Sequence, residues 1–573
     1  MTNADVAAAL EEVADLLDFQ GANPFRVRAY RNAARTVLDL QEAVSSYVLG
    51  EERRLTDIPG VGADLADKIA SLVRTGTMPF LEELRAQVPP SVLAMLRVPG
   101  LGPKRAATIH KELGVSNRDQ LREACEQHRV RALKGFGEKT ETAILSGLDI
   151  AAQADQRMYW AHADQIAQGI REMLAACSTV ERFEFAGSYR RGRETVGDLD
   201  IVAVAGDPKQ AMDALAAYSS VASVLARGDT KMSVRLQSNL QVDLRIVPPQ
   251  AYGAALQYFT GSKAHNVILR GMAKDRGWKL NEYGLFDGET LVAGDSEEAV
   301  YAALGLPWIP PELREARREF DWAAAGSLPN LIETGDLAGE LHCHSTWSDG
   351  RATIEEMAGA ARARGAKYIA ITDHSKRTTV ANGLTADRLL AQWGEIDKLN
   401  TRLKGIKVLK GVEVDILEAG GLDIPDDVLA QADWVVASLH FGQNQPRERI
   451  TRRLLDAIEN PHVSVIAHPT GRIISGRKPY DADWDAIFPA CREHGKFLEL
   501  NADPARLDLD DVQAAAAKSH GIPIVISTDA HSIVGLDAAR YGVLQGRRAG
   551  LTKDDVVNTR SWTQVKKMLG KKR

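Results

Sequence analysis

Residues 186–204 read AGSYRRGRETVGDLDIVAV, and the fold of the middle of the chain turns on them. The run DLDIVAV is apolar and β-branched apart from its two acids, which is the pattern of a strand. Residues two apart on a strand project to one face, so Asp198 and Asp200 stand side by side. The pair Gly187-Ser188 lies just upstream, and LQVDLR (240–245) delivers Asp243 from a later strand. Carboxylates converging in this way can hold two divalent ions. Phosphoryl transfer needs little beyond such ions and a positioned substrate.

Working outward, a helix MYWAHADQIAQGIREML (158–174) precedes the strand runs FEFAGSYR, DLDIVAVA, MSVRLQ and LQVDLRIV, with Ser238-Asn239 as a hairpin turn between the last two. Their alternation predicts an antiparallel sheet. Residues 246–320 read as helix and loop, and AAAGSLPNLIETGDL (323–337) reads as a linker.

Toward the N-terminus one pattern recurs in three copies: IPGVGADLADKI (58–69), VPGLGPKRAATI (98–109) and LKGFGEKTETAI (133–144). An apolar residue, a G-x-G turn and a helix make a helix-hairpin-helix unit. Its glycines, Gly60 and Gly62, Gly100 and Gly102, Gly135 and Gly137, let backbone approach a phosphate, and the helix start supplies unpaired N–H groups. Sequence-independent DNA binding is the expectation.

Beyond the linker, GELHCH, KYIAITDH, KVLKGVEVD, WVVASLH, VSVIAHP, FLELN and PIVISTDAH alternate with helical stretches. Seven such units predict a parallel α/β barrel with its chemistry at the C-terminal strand ends. His342, His344, Asp349, Asp373, His374, Glu413, His440, His468, Asp529 and His531 sit at or near those ends. Imidazole with carboxylate suits zinc, manganese or iron rather than calcium. Cys343 alternates with its two His neighbours and is read as packing. Arg472, Lys376 and Arg377 are candidates for holding phosphates or are solvated surface.

The 573 residues exceed a single core, and a 45% hydrophobic, 26% charged composition is that of ordinary globular protein. Four scattered cysteines without a CxxC pair support neither a disulfide framework nor a zinc ribbon, and no apolar run is long enough to span a bilayer. A cytoplasmic protein is expected. Net charge is −6 and none of the segments 1–150, 151–330 and 331–573 is net basic, so DNA affinity must rest on local motifs and is expected to be salt-sensitive.

GS-Y-RRG, GDLDI and VDLR resemble the palm of family X DNA polymerases, and YFTGSKAHNVILR (258–270) resembles their nucleotide-binding stretch. The resemblance implies gap-filling DNA repair synthesis by Asp198, Asp200 and Asp243 with Mg²⁺ or Mn²⁺. Ser188, Arg191 and Gly197 would meet the triphosphate, Tyr258, Phe259 and Gly261 the sugar, and Asn266 and Arg270 the base and template. NPFRVRAYRNAARTV with the first hairpin resembles the family's small DNA-end-binding domain. There the Schiff-base lysine of lyase-active relatives corresponds to Lys68, although Asp64 and Asp67 beside it favour simple 5′-phosphate binding. The family often has Arg two residues before the third catalytic Asp, where this chain has Gln241.

HxHSxxSDG, ITDHS, GVEVD, SLH, IAHP and STDAH resemble the polymerase-and-histidinol-phosphatase (PHP) domain, which binds up to three metals, Zn²⁺, Mn²⁺ or Fe. By that resemblance His342, His344, Glu413 and Asp529 take one metal, Glu413 bridges to a second held by His440 and His468, and Asp349, His374 and His531 take the third, with Asp373 orienting a His. Such a site implies 3′–5′ exonuclease activity, with 3′-phosphate removal or abasic-site incision as further options. The implied architecture is multidomain. It comprises a helical end-binding domain (1–80), helix-hairpin-helix fingers (81–150), an α+β nucleotidyltransferase palm (151–245), a thumb (246–322), a linker (323–338) and a distorted (β/α)7 PHP barrel (339–573). Expected partners are gapped or primer-template DNA and dNTPs, with a repair ligase or nuclease and no membrane, the chain acting as a monomer. Two other readings stay open: a DNA-targeted PHP nuclease with weak or no polymerase activity, and a nucleotidyltransferase acting on RNA or a small molecule.

Overall fold

The computed structural model describes residues 3–38, 44–49, 54–58, 60–88, 90–96, 98, 101–154 and 157–570. They divide into two compact units, Met1–Gln156 with Ile473–Lys478, and Arg157–Arg472 with Pro479–Arg573. Among the described residues no helix is long and apolar enough to cross a membrane.

Helices make up the regular structure among the described residues of the first unit. Asn3–Phe19 packs Val6, Leu10, Val13 and Leu17 against Tyr30, Ala33, Ala34 and Val37 of Pro24–Leu38, an i, i+3, i+4, i+7 stripe meeting its partner. A second core gathers Leu101, Ile109, Leu121, Ile144 and Leu148. Each hairpin repeat ends where expected: Ala63–Thr75, Pro103–Leu113 and Glu138–Ala154 begin directly after Gly62, Gly102 and Gly137.

In the larger unit a two-residue ribbon, β1 (Met158–Tyr159) with β3 (Thr195–Val196), flanks a five-stranded sheet. That sheet contains β2 (Val180–Phe185), β4 (Asp198–Ala205), β5 (Val221–Arg227), β6 (Lys231–Leu236) and β7 (Gln241–Ile246), in the order β2-β4-β7-β6-β5. The expected antiparallel sheet needs correction, because β4 and β7 run parallel. A helix (Pro208–Ala216) and the β5–β6 hairpin intervene, so the chain re-enters the sheet centre in the original direction. Asn239, at φ +65°, makes the β6–β7 turn as its position predicts.

Residues 246–320 contain the helices Tyr252–Thr260, Lys263–Asp275 and Glu297–Ala303. They also contain an antiparallel meander that the helix-and-loop reading lacks: β8 (Lys279–Asn281), β9 (Gly284–Asp287) and β10 (Thr290–Ala293). The linker is docked rather than loose: Ile332 is fully buried in the barrel core and donates its N–H to Leu551.

All seven expected barrel strands form, in sequence order and parallel: β11 (Gly339–Cys343), β12 (Tyr368–Ile371), β13 (Lys407–Asp415), β14 (Trp434–Ser438), β15 (Val465–Ile466), β16 (Phe497–Asn501) and β17 (Ile524–Ser527). A parallel bridge between Cys343 and Ala530 brings the first strand to the end of the last. Almost every residue of these strands is buried, as expected where helices cover one face and a packed interior the other. Cys343 lies in that core.

Candidate active sites

In the five-stranded sheet the register sets Asp200 opposite Asp243 and Asp198 opposite Gln241 on adjacent parallel strands, so three carboxylates share one sheet end. Burial and the charges of Asp198 and Asp243 push the Asp200 carboxyl up to about 7, and burial with Asp243 raises Asp198. Acids crowded this closely need cations to stay ionised together. Asp243 is held by its neighbours: Ser233 Oγ donates to Oδ1, and Gln241 Nε2 donates to Oδ2 at 3.0 Å. Gln241 in turn accepts from Arg235 at 3.3 Å. Gly187 adopts φ +62°, and a Cβ there would meet Asp200 Oδ2 at 2.7 Å, so the turn that carries Ser188 presses against the acid cluster.

Both arginines after that turn are engaged. Arg190 pairs with Glu297 at 2.8 Å, and Arg191 donates to Glu315 at 3.0 Å and to the Thr260 carbonyl at 2.8 Å. Tyr258 and Phe259 meet edge to face, 5.1 Å apart, and Arg245 stacks over Phe259 at 4.2 Å. Asn266 does not present a free amide: its Nδ2 holds the carbonyls of Tyr258 and Gly261, and its Oδ1 accepts from Gln257. A Cβ at Gly261 would collide with that Oδ1. Asn266 therefore acts on the shape of the Tyr258–Gly261 turn, while Arg270, one turn further along the same helix, is exposed and donates Nε to the Asn266 carbonyl at 3.3 Å.

At the barrel mouth the nine expected donors converge. His342 Nε2 and His344 Nε2 lie 3.5 and 3.6 Å from Glu413 Oε2, and 3.5 and 3.0 Å from Asp529 Oδ1. His440 and His468 approach the other oxygen, Glu413 Oε1, at 3.3 and 3.1 Å. His374 and His531 face Asp349 at 3.8 and 3.4 Å. Glu413 thus sits between two groups, as a bridging ligand must. His342 Nε2, His344 Nδ1, His374 Nδ1 and Glu413 Oε2 are buried without a well-formed hydrogen bond, and His374 Nδ1 lies 2.7 Å from Glu413 Oε2 as an ion pair, closer than its other nitrogen lies to Asp349. Orphaned donors and acceptors of these types, gathered at one point, are what a bound cation satisfies.

Residues that sequence reasoning missed set the imidazole directions. Glu499 accepts from His342 Nδ1 at 2.7 Å and Asp415 from His440 Nδ1 at 2.9 Å, which leaves both Nε2 atoms facing Glu413. Asp373, expected to orient a histidine, instead accepts from the Ser345 amide, Ser345 Oγ, Ser348 Oγ and Gln392. Short hydroxyl side chains from the HxHS loop reach it first, so it anchors that loop. Arg472 is buried against the carbonyls of Arg506 and Leu507 and pairs with Glu194 at 2.7 Å, so it is not open to a phosphate; Arg377 pairs with Glu418 but stays exposed. Arg506 is the guanidinium of this site: burial opposes its charge, and Asp529, Asp503 and Glu413 hold it above its usual range.

In the helical unit, Gly60 and Gly135 adopt φ +80° and +86°, which accounts for glycine there. Gly62 and Gly137 have no such constraint, and at neither would a Cβ touch anything within 4 Å. Gly102 opens the second helix, and Gly100 lies outside the described residues. Lys68 is ion-paired with Asp64 one turn away and lies 5.1 Å over the Phe80 ring.

The motifs and the geometry agree with the comparisons. Residues 255–315 match the DNA polymerase beta thumb, 1–78 a helix-hairpin-helix domain, 92–149 a SAM-like helix-hairpin-helix tandem, and 340–503 the PHP domain. A probable phosphatase of Thermoanaerobacter sp. is 35% identical over 234 residues, 38% of this chain and 89% of its own. A DNA polymerase/3′-5′ exonuclease PolX of Bacillus subtilis is 42% identical over 576 residues, 99% of both chains. The chain belongs to the family X DNA polymerases that carry a C-terminal PHP domain.

Proposed function

We propose that this chain fills short gaps in DNA at the palm and trims 3′ ends at the barrel, with separate residues for each reaction. The observation that carries this reading is the completeness of both clusters: three carboxylates brought together by β4 and β7, and eight donors gathered with Glu413. Asp198, Asp200 and Asp243 would hold Mg²⁺ or Mn²⁺, which would supply activation of the primer hydroxyl and charge neutralisation for the pyrophosphate. Ser188, Arg191 and Gly197 receive the triphosphate. Tyr258, Phe259 and Gly261 receive the sugar in a turn shaped by Asn266, and exposed Arg270 is available to the template.

At the barrel, His342, His344, Glu413 and Asp529, then Glu413 with His440 and His468, then Asp349, His374 and His531 hold up to three ions such as Zn²⁺ or Mn²⁺. Bound there, such ions would supply an activated water and positive charge for the scissile phosphate. Arg506 holds the substrate phosphate beside them. The helix-hairpin-helix glycines take DNA phosphates, since at Gly62 and Gly137 neither conformation nor packing within the chain demands glycine. Lys68, committed to Asp64, favours 5′-phosphate binding over Schiff-base chemistry.

The test is a 5′-phosphorylated one-nucleotide-gap duplex incubated with Mn²⁺ and dNTPs, its products resolved on a sequencing gel. Asp198→Ala/Asp200→Ala is expected to lose extension and keep primer shortening; His342→Ala/His344→Ala is expected to extend without shortening. Shortening without extension by the unaltered chain would overturn the polymerase half of the proposal.

A further inference from the structure

The helix Ala539–Arg548 belongs to the barrel: Val543 lies in the barrel core, and a Cβ at Gly542 would meet Ala502 and Ile526 at 2.8 Å. Its other face is spent on the palm turn that carries Ser188 and Arg191. Arg548 Nη1 donates to the Arg191 carbonyl at 2.7 Å and reaches Glu315 at 3.1 Å, while its Nη2 is anchored on Asp511 of the barrel at 2.7 Å. A Cβ at Gly192 would meet Leu544 at 2.6 Å, so turn and helix touch without intervening atoms. Arg540 pairs with Asp164 at 3.0 Å, the same carboxylate that accepts from Tyr189 at 2.6 Å, and Tyr541 packs edge-on to Trp160. Arg191 and Gly192 of the turn are therefore met directly by the barrel helix, and Tyr189 is linked to it through Asp164.

We infer that Arg548, a residue of the nuclease barrel, is a positioning residue for nucleotide incorporation at the polymerase site. It acts in two ways. The hydrogen bond to the Arg191 carbonyl fixes the backbone of the turn. The contact with Glu315 shares the carboxylate that Arg191 itself holds at 3.0 Å, so the Arg191 guanidinium can turn to a triphosphate without leaving Glu315 buried and unpaired. Around Glu315 and Asp511 stand Arg191, Arg193, Arg317 and Arg548, an excess of positive charge facing the turn. Arg548 touches neither the barrel's donor cluster nor the three palm carboxylates.

The inference rests on Ser188 and Arg191 receiving the triphosphate, so the experiment carries a control for that reading. Single-nucleotide gap filling by the full chain is measured against dNTP concentration for wild type, Arg548→Ala, Arg548→Lys and Arg191→Ala, with primer shortening measured on the same preparations. Arg548→Ala is expected to raise KM for dNTP about five- to twenty-fold with kcat within about two-fold and shortening unchanged, and Arg548→Lys to recover most of the loss. Arg191→Ala should raise KM further. A wild-type KM in Arg548→Ala beside a raised KM in Arg191→Ala overturns the inference alone; an unchanged KM in Arg191→Ala overturns the reading of the turn. Parallel loss of kcat and shortening in Arg548→Ala makes the residue a structural support only and also overturns the inference. Should the alanine variant not fold, Arg548→Gln, which keeps bulk and a donor without charge, decides on the same constants.

Discussion

Gln241 Nε2 donates to Asp243 Oδ2 across 3.0 Å, two residues along the same strand, while its carbonyl oxygen accepts from Arg235 on the neighbouring strand. Where relatives often carry arginine, this chain has a neutral amide backed by a guanidinium one strand away. The departure from the family's pattern thus leaves Asp243 oriented. Gln241→Ala is expected to slow extension about ten-fold, and Gln241→Glu, which sets a second anion against Asp243, about a hundred-fold. Single-turnover gap filling measures both; a Gln241→Glu enzyme at wild-type rate would sink the idea.

Glu499 fixes which nitrogen His342 offers to the barrel site. Glu499→Ala is expected to lower metal affinity roughly 10- to 100-fold and to slow primer shortening, with extension unaffected. Metal content after dialysis against graded chelator reads the first effect. Retention equal to wild type rules the role out.

Without metal, some of the barrel histidines hold protons in a metal's place, while burial and the neighbouring His531 and His374 bring His344 down to about 3. Against the effect of burial, Glu413 and Asp415 raise His440 to about 10, and Asp349 and Asp529 raise His531 to about 9. His342, raised by Glu499, Asp529 and Glu413 against its burial, joins these two in being protonated at neutral pH in the metal-free site, so loading must expel about three protons, and affinity climbs with pH until about 10. Titration calorimetry in two buffers of different ionisation enthalpy should give different heats at pH 7.5; identical heats would contradict the assignment.

Glu297 is nearly inaccessible and accepts from Arg190 and from the fully buried Arg314. Burial pushes its carboxyl up, but the two guanidinium groups prevail and bring it down to about 2. A depressed folded-state value stabilises the protein above the ordinary 4.5, and that stability drains away as pH falls from about 4.5 toward 2. Glu297→Gln strands two arginines and is expected to cost about 3 kcal/mol. Urea unfolding at pH 7 and pH 3 tests this: the gap between variant and wild type should shrink at the lower pH.

The barrel was legible because its strands are buried on both faces and so read as continuous apolar runs, each punctuated by a ligand or a turn. The palm acids were legible because an i, i+2 pair survives in one short segment. Pairing direction was not: β7 lies parallel to β4 because of what the chain does in between, and DLDIVAVA and LQVDLRIV look the same either way. β5 escaped because VASVLAR sits at a sheet edge, mostly exposed, without the alternation that marks a half-buried strand. The supporting residues escaped for a different reason. Glu499 lies 157 residues from His342, and Arg548 lies 357 from Arg191; neither leaves a local trace.

Leu331 bridges Thr552 and Ile332 is buried in the barrel, so the segment between the catalytic halves is a seam rather than a tether. A protease presented with the native protein meets Leu331 and Ile332 pinned at the middle of that segment, with the short stretches 324–327 and 333–335 exposed beside them. The synthesis and editing halves should therefore resist separation by nicking, and should be cleared from a cell together rather than piecemeal.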